Sequence, residues 1–211
     1  MLKAFFLPAK QQTALLRAEI RREIAKELGA EAGGGNFYTP FWSDAKNHIR
    51  GIADVRVETA SRVSKNPRRK RLYPRLQEGF LNWWENKRRW TNLEFGVEEF
   101  APKARYRFDE LNATVKVENL IGITIGEDDS RLIYPYFYEQ PIVTERIGQL
   151  GLWLMSRALS GYNPDDMRML DILRSNSNSI ADFPFRGDEE EEFLSRYIRL
   201  ILRWEELRKE Y

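Results

Sequence analysis

The chain has 211 residues, a formal net charge of +2 and no cysteine. It is long enough to bury a core without covalent staples, and the lack of Cys excludes a disulfide framework and a Cys-ligated zinc site. The opening MLKAFFLPAKQQ is too short an apolar run for a signal peptide, and no window approaches 18 apolar residues. A cytoplasmic chain with no membrane partner is therefore expected.

Charge is unevenly spread. Residues 1–90 hold 19 Lys+Arg and 9 Asp+Glu (+10), while residues 91–211 hold 15 and 23 (−8). A basic helical N-terminal part over 1–90 and an acidic α+β part over 91–211, together in one compact unit, are the expected organisation. A basic half suggests a polyanionic or acidic partner.

The first expected helix covers 9–28, where Leu16, Ile20, Ile24 and Leu28 recur every four residues. Three glycines at 33–35 then read as a linker, since no Lys-Ser/Thr follows them. A second helix is expected over 40–63, with Pro40 in its first turn and Asn66-Pro67 as its stop. A third covers 74–89 with Leu76, Phe80, Trp83 and Trp84 on its apolar face.

Beyond Trp90 the period changes to two. Tyr106 and Phe108, then Val115 and Val117, then Ile121, Ile123 and Ile125 alternate with polar or small residues. A turn at 126–130 leads to a returning strand, 132–138, whose Pro135 points to an edge position or a bulge. Residues 104–138 are thus expected to form an antiparallel meander. A helix over 144–160, capped by Thr144, follows, with Ile147, Leu150, Leu154 and Leu159 inward. Residues 167–173 read as a strand, 175–178 as a turn, and 180–183 as a segment pairing back. The last helix starts near Gly187-Asp188, with Glu189 to Glu192 in its first turn, where the helix dipole favours negative charge. Its expected buried stripe is Phe193, Leu194, Tyr197, Ile198, Ile201, Trp204 and Leu207. The fold class is α+β: a small, mainly antiparallel sheet flanked by helices, with an N-terminal helical part.

The strongest basic cluster is Lys65, Arg68, Arg69, Lys70, Arg71 and Arg75, followed by Lys87, Arg88 and Arg89. Trp83, Trp84 and Trp90 lie close by in sequence. Phosphates need cations and unpaired bases need aromatic faces, so this combination suits a nucleic-acid backbone. Solvated turns and cations at a helix C-terminus produce the same composition. His48, the single histidine, has Asp44 one turn before it, and a lone histidine cannot build a multi-histidine metal site. Asp54 and Glu58 share a helix face, with Arg50 and Arg62 spaced to pair with them. Glu127-Asp128-Asp129 lacks the alternating pattern of a calcium loop and reads as a solvated hairpin tip.

Two stretches carry a family likeness: residues 117–137 (VENLIGITIGEDDSRLIYPYF) and Gln149-Leu-Gly-Leu-Trp153, which fits a loose Gln-x-x-x-Tyr pattern. Over about 70 residues, 104–173, the order of elements resembles the core of the PD-(D/E)XK nuclease-like superfamily, particularly its RecB-type exonucleases. That family places an Asp in the second strand and an acid-x-Lys pair in the third. Here Ile123, Ile125 and Tyr134-Pro135-Tyr136-Phe137 stand in those places, with Glu118 and Glu139 flanking as positions for displaced metal ligands. Metal-assisted cleavage needs carboxylates to hold the ion. The resemblance therefore implies a non-cleaving relative that keeps the scaffold, with no catalytic residue, no metal and no cofactor.

The leading functional expectation is a non-catalytic module that contacts a nucleic-acid backbone through the basic cluster. The alternatives are an assembly component that pairs with a protein or with its own copies through opposite charges, and a degenerate metal-dependent nuclease.

Overall fold

The computed structural model describes residues 1–29, 37–87, 95–98, 101–126 and 129–211. A short 3-10 turn, Leu2–Phe6, precedes α1 (Ala9–Glu27). The helix is as expected except that Leu28 caps it and is exposed. The glycines at 33–35 lie outside the described residues.

The single helix expected over 40–63 is two. Helix α2 (Thr39–Ile49) ends where Gly51 takes φ +70°, a conformation that L side chains resist. Helix α3 (Val55–Lys65) starts afresh behind Asp54, whose carboxylate accepts from the Arg56 N–H at 2.8 Å. Asn66-Pro67 stops α3 as expected, and a 3-10 turn, Pro67–Arg69, leads to α4 (Tyr73–Leu81). Helix α4 runs on as a π-helical stretch, Asn82–Lys87, and residues 88–94 lie outside the described ones.

The strands are β1 (Phe95–Val97), β2 (Ala104–Phe108), β3 (Ala113–Val117), β4 (Ile121–Ile125), β5 (Asp129–Tyr136), β6 (Met167–Asp171) and β7 (Asn176–Asn178). They do not form one meander. Strands β2 and β3 make a separate two-stranded ribbon, while the main sheet runs β1-β4-β5-β6-β7. Two asparagines at positive φ, Asn112 in the β2–β3 turn and Asn119 before β4, redirect the chain between the ladders. The β5–β6 pair is parallel, so the main sheet is mixed rather than mainly antiparallel. The segment that pairs back on β6 is β7, residues expected to be a turn, and 180–183 are not a strand.

Pro135 is not on an edge strand, since β5 is the middle strand of five. The β4 ladder ends at Ile121↔Ile133, however, so beyond Ile133 only β6 flanks β5. Pro135 sits in that one-sided overhang, where a missing N–H is tolerated.

The sheet separates two cores. Leu132, Tyr136, Met167 and Met169 face a cluster built with α1, α5 (Glu145–Ala158), α6 (Glu189–Arg208) and the β2–β3 ribbon. Ile121, Ile123, Ile125, Ile133 and Leu170 face a second cluster built with α2, α3, α4 and the π-helical stretch. The period-two alternation of the strands thus feeds both layers. Both cores take residues from each side of position 90.

Helix α5 is capped by Thr144, whose hydroxyl accepts from the Ile147 N–H. In α6 the buried stripe is Phe193, Leu200 and Leu207, with Tyr197 and Trp204 half-buried. Ile198, expected inside, is at the surface, because the contact face follows 3- and 4-residue steps through Leu200. Glu189 is buried at the start of α6 and accepts from the N–H groups of Arg186 and Gly187 at 2.7 and 3.0 Å. Among the described residues no helix is long and apolar enough to cross a membrane.

Candidate nucleic-acid interface

The basic cluster occupies the α3–α4 corner. The Asn66 side chain accepts from the Arg68 N–H at 3.1 Å, and this closes the 3-10 turn that turns the chain outward. Lys65, Arg68 and Lys70 are exposed on it, and none has an ion-pair partner among the described residues. Arg69 lies with its guanidinium 5.2 Å from the ring centre of Tyr73, and its buried Nε makes no hydrogen bond among the described residues. The Tyr73 hydroxyl donates to the Phe37 carbonyl at 2.7 Å, so the ring beneath the guanidinium is fixed.

Arg71 and Arg75 converge on Glu139, which follows β5. Arg71 donates through both Nη atoms, at 2.8 and 2.6 Å, and Arg75 donates to Oε1. The Arg71 fork first, then Arg75, holds the Glu139 carboxyl down to about 2. An exposed pair of this kind adds little to stability. Its effect here is to fix two guanidiniums around one carboxylate with a residual charge of +1.

Lys87 stands at the far end of the same helical run. Fourteen residues separate it from Tyr73, roughly 20 Å at a helical rise of about 1.5 Å. The sequence cluster is therefore split between two ends of one rod. Arg88, Arg89 and Trp90 lie outside the described residues. Trp83 and Trp84 do not offer faces for base stacking, because both are buried in the helical core.

Arg174 joins the two ends, a role the sequence did not single out. Its Nη2 donates to the Glu139 carbonyl at 2.8 Å, its Nη1 reaches both oxygens of Asp171 at 3.1 Å, and its own carbonyl accepts from Lys87 Nζ at 3.4 Å. Burial raises the Asp171 carboxyl, and the Arg174 charge opposes that rise. Arg75 and Arg174 line one cleft of about 310 Å³ with Asn82 and Ser175. Lys87, Arg131, Arg168 and the acid Asp182 line a second cavity of about 260 Å³ together with Ile123, Ile125 and Ile133. Arg131 pairs across the ladder with Ile123, and Arg168 with Ile133. These two cations thus interrupt an apolar sheet face, a signal that is visible only once register is known.

The approach of α4 to the 172–174 turn sets the first cleft. A Cβ on Gly79 would stand 2.0 Å from the Ile172 carbonyl oxygen, so glycine is what allows the contact.

The other sequence candidates resolve differently. Asp44 is buried and is gripped by Arg62 at 2.9 and 3.0 Å; it does not hold His48. The His48 ring accepts from the Val55 N–H at 3.4 Å and lies 3.8 Å from Asp54. Arg62 therefore serves Asp44 across two helices rather than Glu58 along one. Arg50 donates to the Glu98 carbonyl at 2.9 Å instead of pairing with Asp54, since Asp54 caps the next helix. Glu127 and Asp128 lie outside the described residues.

Gln149 is fully buried. Its amide nitrogen donates to Glu145 at 3.0 Å and to the Pro184 carbonyl at 2.7 Å, and its oxygen accepts from Arg146 at 3.1 Å. It ties the segment before α6 to α5. Among the described residues, no group of three His, Cys, Asp or Glu is placed to hold a metal ion. Glu139 is occupied by two arginines.

Comparison with protein-family models, with curated proteins and with solved structures gave no match.

Proposed function

We propose that this protein is a non-catalytic binding module that holds a nucleic-acid backbone along the outer side of α4. One observation carries the reading: cations are contiguous from the α3–α4 corner to the far end of the helix. Arg71 and Arg75 share Glu139, Arg174 reaches the same residue, and Lys87 reaches Arg174. Lys65, Arg68 and Lys70 extend the row at one end, and Arg131 at the other.

A row of roughly 20 Å matches about six phosphates of one strand in base-stacked helical form, at roughly 3.4 Å per charge along the axis. Phosphate contacts position a strand without reading its sequence, so weak sequence preference goes with this surface. Trp83 and Trp84 are buried, so neither serves base stacking, and the contact argued from the described residues is electrostatic.

The assembly reading needs opposite charges left over between copies. Several such charges pair within the chain: Arg17 with Glu210, Arg208 with Glu23 and Glu27, and Arg71 with Glu139. The nuclease reading uses Glu118 and Glu139 as displaced ligands, and the Glu139 oxygens face guanidiniums. Both observations weigh toward backbone binding.

The test is charge reversal. Arg68→Glu with Lys70→Glu weakens binding of a labelled single-stranded oligonucleotide at least tenfold at low salt. Equal affinity of this variant and the native chain refutes the proposal.

A further inference from the structure

Arg75, Glu78, Gly79 and Asn82 recur at three- and four-residue steps, on one face of α4 and the residue that follows it. With Leu173, Arg174 and Ser175 they line the cleft of about 310 Å³. Its geometry is fixed from both sides. Gly79 packs on the Ile172 carbonyl, and the Asn82 amide donates to the Ser175 hydroxyl at 3.0 Å. Arg174, on the other wall, is held by Asp171 and by the carbonyls of Tyr138 and Glu139.

Glu78 is exposed, and its carboxylate has no hydrogen-bond or ion-pair partner among the described residues. Arg75, three residues before it, is spaced to pair with it but turns to Glu139 instead. Arg75 does so through Nη1 alone. Its Nε and Nη2, the side-on fork of the guanidinium, have no acceptor among the described residues. A free carboxylate repels phosphates, so on a surface that holds a polyanion it works against binding unless it meets a donor. A phosphate diester offers no donor, whereas base edges carry both donors and acceptors. An open guanidinium fork beside an open carboxylate therefore matches a base and not the backbone.

We propose that this cleft takes one unpaired guanine of the strand bound along α4, with the Arg75 fork on O6 and N7 and the Glu78 carboxylate on the N1–H and N2–H groups. The inference rests on the α4 reading and adds one read position to a track that is otherwise blind to sequence. Arginine bidentate to O6 and N7 is the commonest specific base contact. The two edges are adjacent on guanine, as Arg75 and Glu78 are on the helix. Adenine places an amine where guanine has O6, setting donor against donor at Arg75, and cytosine offers Glu78 a single amine. The Arg174 guanidinium supplies a flat cation in the same cleft, and unpaired bases stack on such planes. The volume lies at the lower end of small-ligand sites, which suits a single base.

The test is fluorescence anisotropy at low salt with four labelled single-stranded heptamers, all thymine except for guanine, adenine, cytosine or thymine at the centre. The native chain, Glu78→Gln, Arg75→Lys and the double variant Arg68→Glu with Lys70→Glu are compared. Expected is guanine binding roughly tenfold tighter than each of the other three in the native chain. Glu78→Gln and Arg75→Lys each bring that ratio to about two or less, because the first halves the acceptor pair and the second removes the fork. Glu78→Gln also binds the thymine heptamer more tightly, since a negative charge leaves the track. The double variant weakens all four heptamers and keeps the ratio. Glu78 is exposed, so its substitution spares the core. Equal affinity for the four heptamers, a preference for another base, or a guanine preference that survives Glu78→Gln overturns the proposal and leaves the α4 reading standing. No binding of any heptamer overturns both.

Discussion

Gly79→Ala sets two effects against each other. In an exposed helix interior, alanine is favoured over glycine by about 1 kcal/mol. At position 79 the added methyl would stand 2.0 Å from the Ile172 carbonyl oxygen, 3.0 Å from its carbon and 3.3 Å from the Leu173 Cα. An ordinary carbon–oxygen contact is roughly 3.3 Å, so the shortfall is about 1.3 Å. Every one of those atoms is backbone, and no rotamer change relieves the contact. Overpacking a tight contact costs about 1–3 kcal/mol, and the upper end applies here. The net effect is destabilisation by about 2 kcal/mol, or a fall of roughly 4–8 °C in melting temperature for a chain of this size. Thermal unfolding followed by tryptophan fluorescence reads it, because Trp83 and Trp84 sit one turn further along. Gly161→Ala is the control, with nothing within 4 Å of its Cβ. A melting temperature for Gly79→Ala equal to or above that of the native chain refutes the packing argument, and with it the placing of Arg75 beside Arg174.

The Asp44–Arg62 pair is asymmetric: Asp44 is 3% exposed, while a third of the Arg62 side chain meets solvent. Arg62→Ala leaves a buried carboxylate alone and destabilises by about 3 kcal/mol; Asp44→Ala costs less, since Arg62 turns to water, and urea unfolding ranks the two. The depressed Glu139 carboxyl gives stability that is present above the ordinary carboxylate range and is lost as pH falls through about 2. The native chain is thus more stable than Glu139→Gln at pH 7, and the gap closes between pH 5 and 2 in melting curves. For Lys46 the sign is opposite. Its folded value of about 8 lies below the unfolded one, so the unfolded state holds the extra proton from about pH 8 to the ordinary lysine range, and stability rises with pH there. Lys46→Met removes that slope and gains roughly 1 kcal/mol at pH 7, after discounting for a half-exposed amine.

Local signals were readable wherever a cap or period acted alone. The Thr144 cap, the acidic first turn of α6 and the Asn66-Pro67 stop all sit where short-range chemistry puts them. The break inside residues 40–63 was hidden because Ile49, Ile52 and Ala53 continue an apolar pattern through Gly51, and only its positive φ with the Asp54 cap ends the helix. Strand β1 is three residues and has no period to detect. The parallel β5–β6 pair follows from α5 crossing between them, a tertiary feature. The basic cluster was legible as composition. Its division into two ends of a rod was not, nor was the joining role of Arg174, because both depend on how α4 lies against the 172–174 turn. Arg131 and Arg168 read as ordinary outward residues of alternating strands until register places them on an apolar face.

Fluorescence anisotropy of a labelled single-stranded oligonucleotide across salt measures the backbone contact along α4 directly. About six phosphate contacts give a slope of roughly −4 in log affinity against log salt, so affinity falls roughly 300-fold between 50 and 200 mM. Backbone binding gives that slope in the native chain and a slope smaller by one to two units in Arg68→Glu with Lys70→Glu. No binding at 50 mM, or binding whose salt dependence the reversal leaves unchanged, contradicts it.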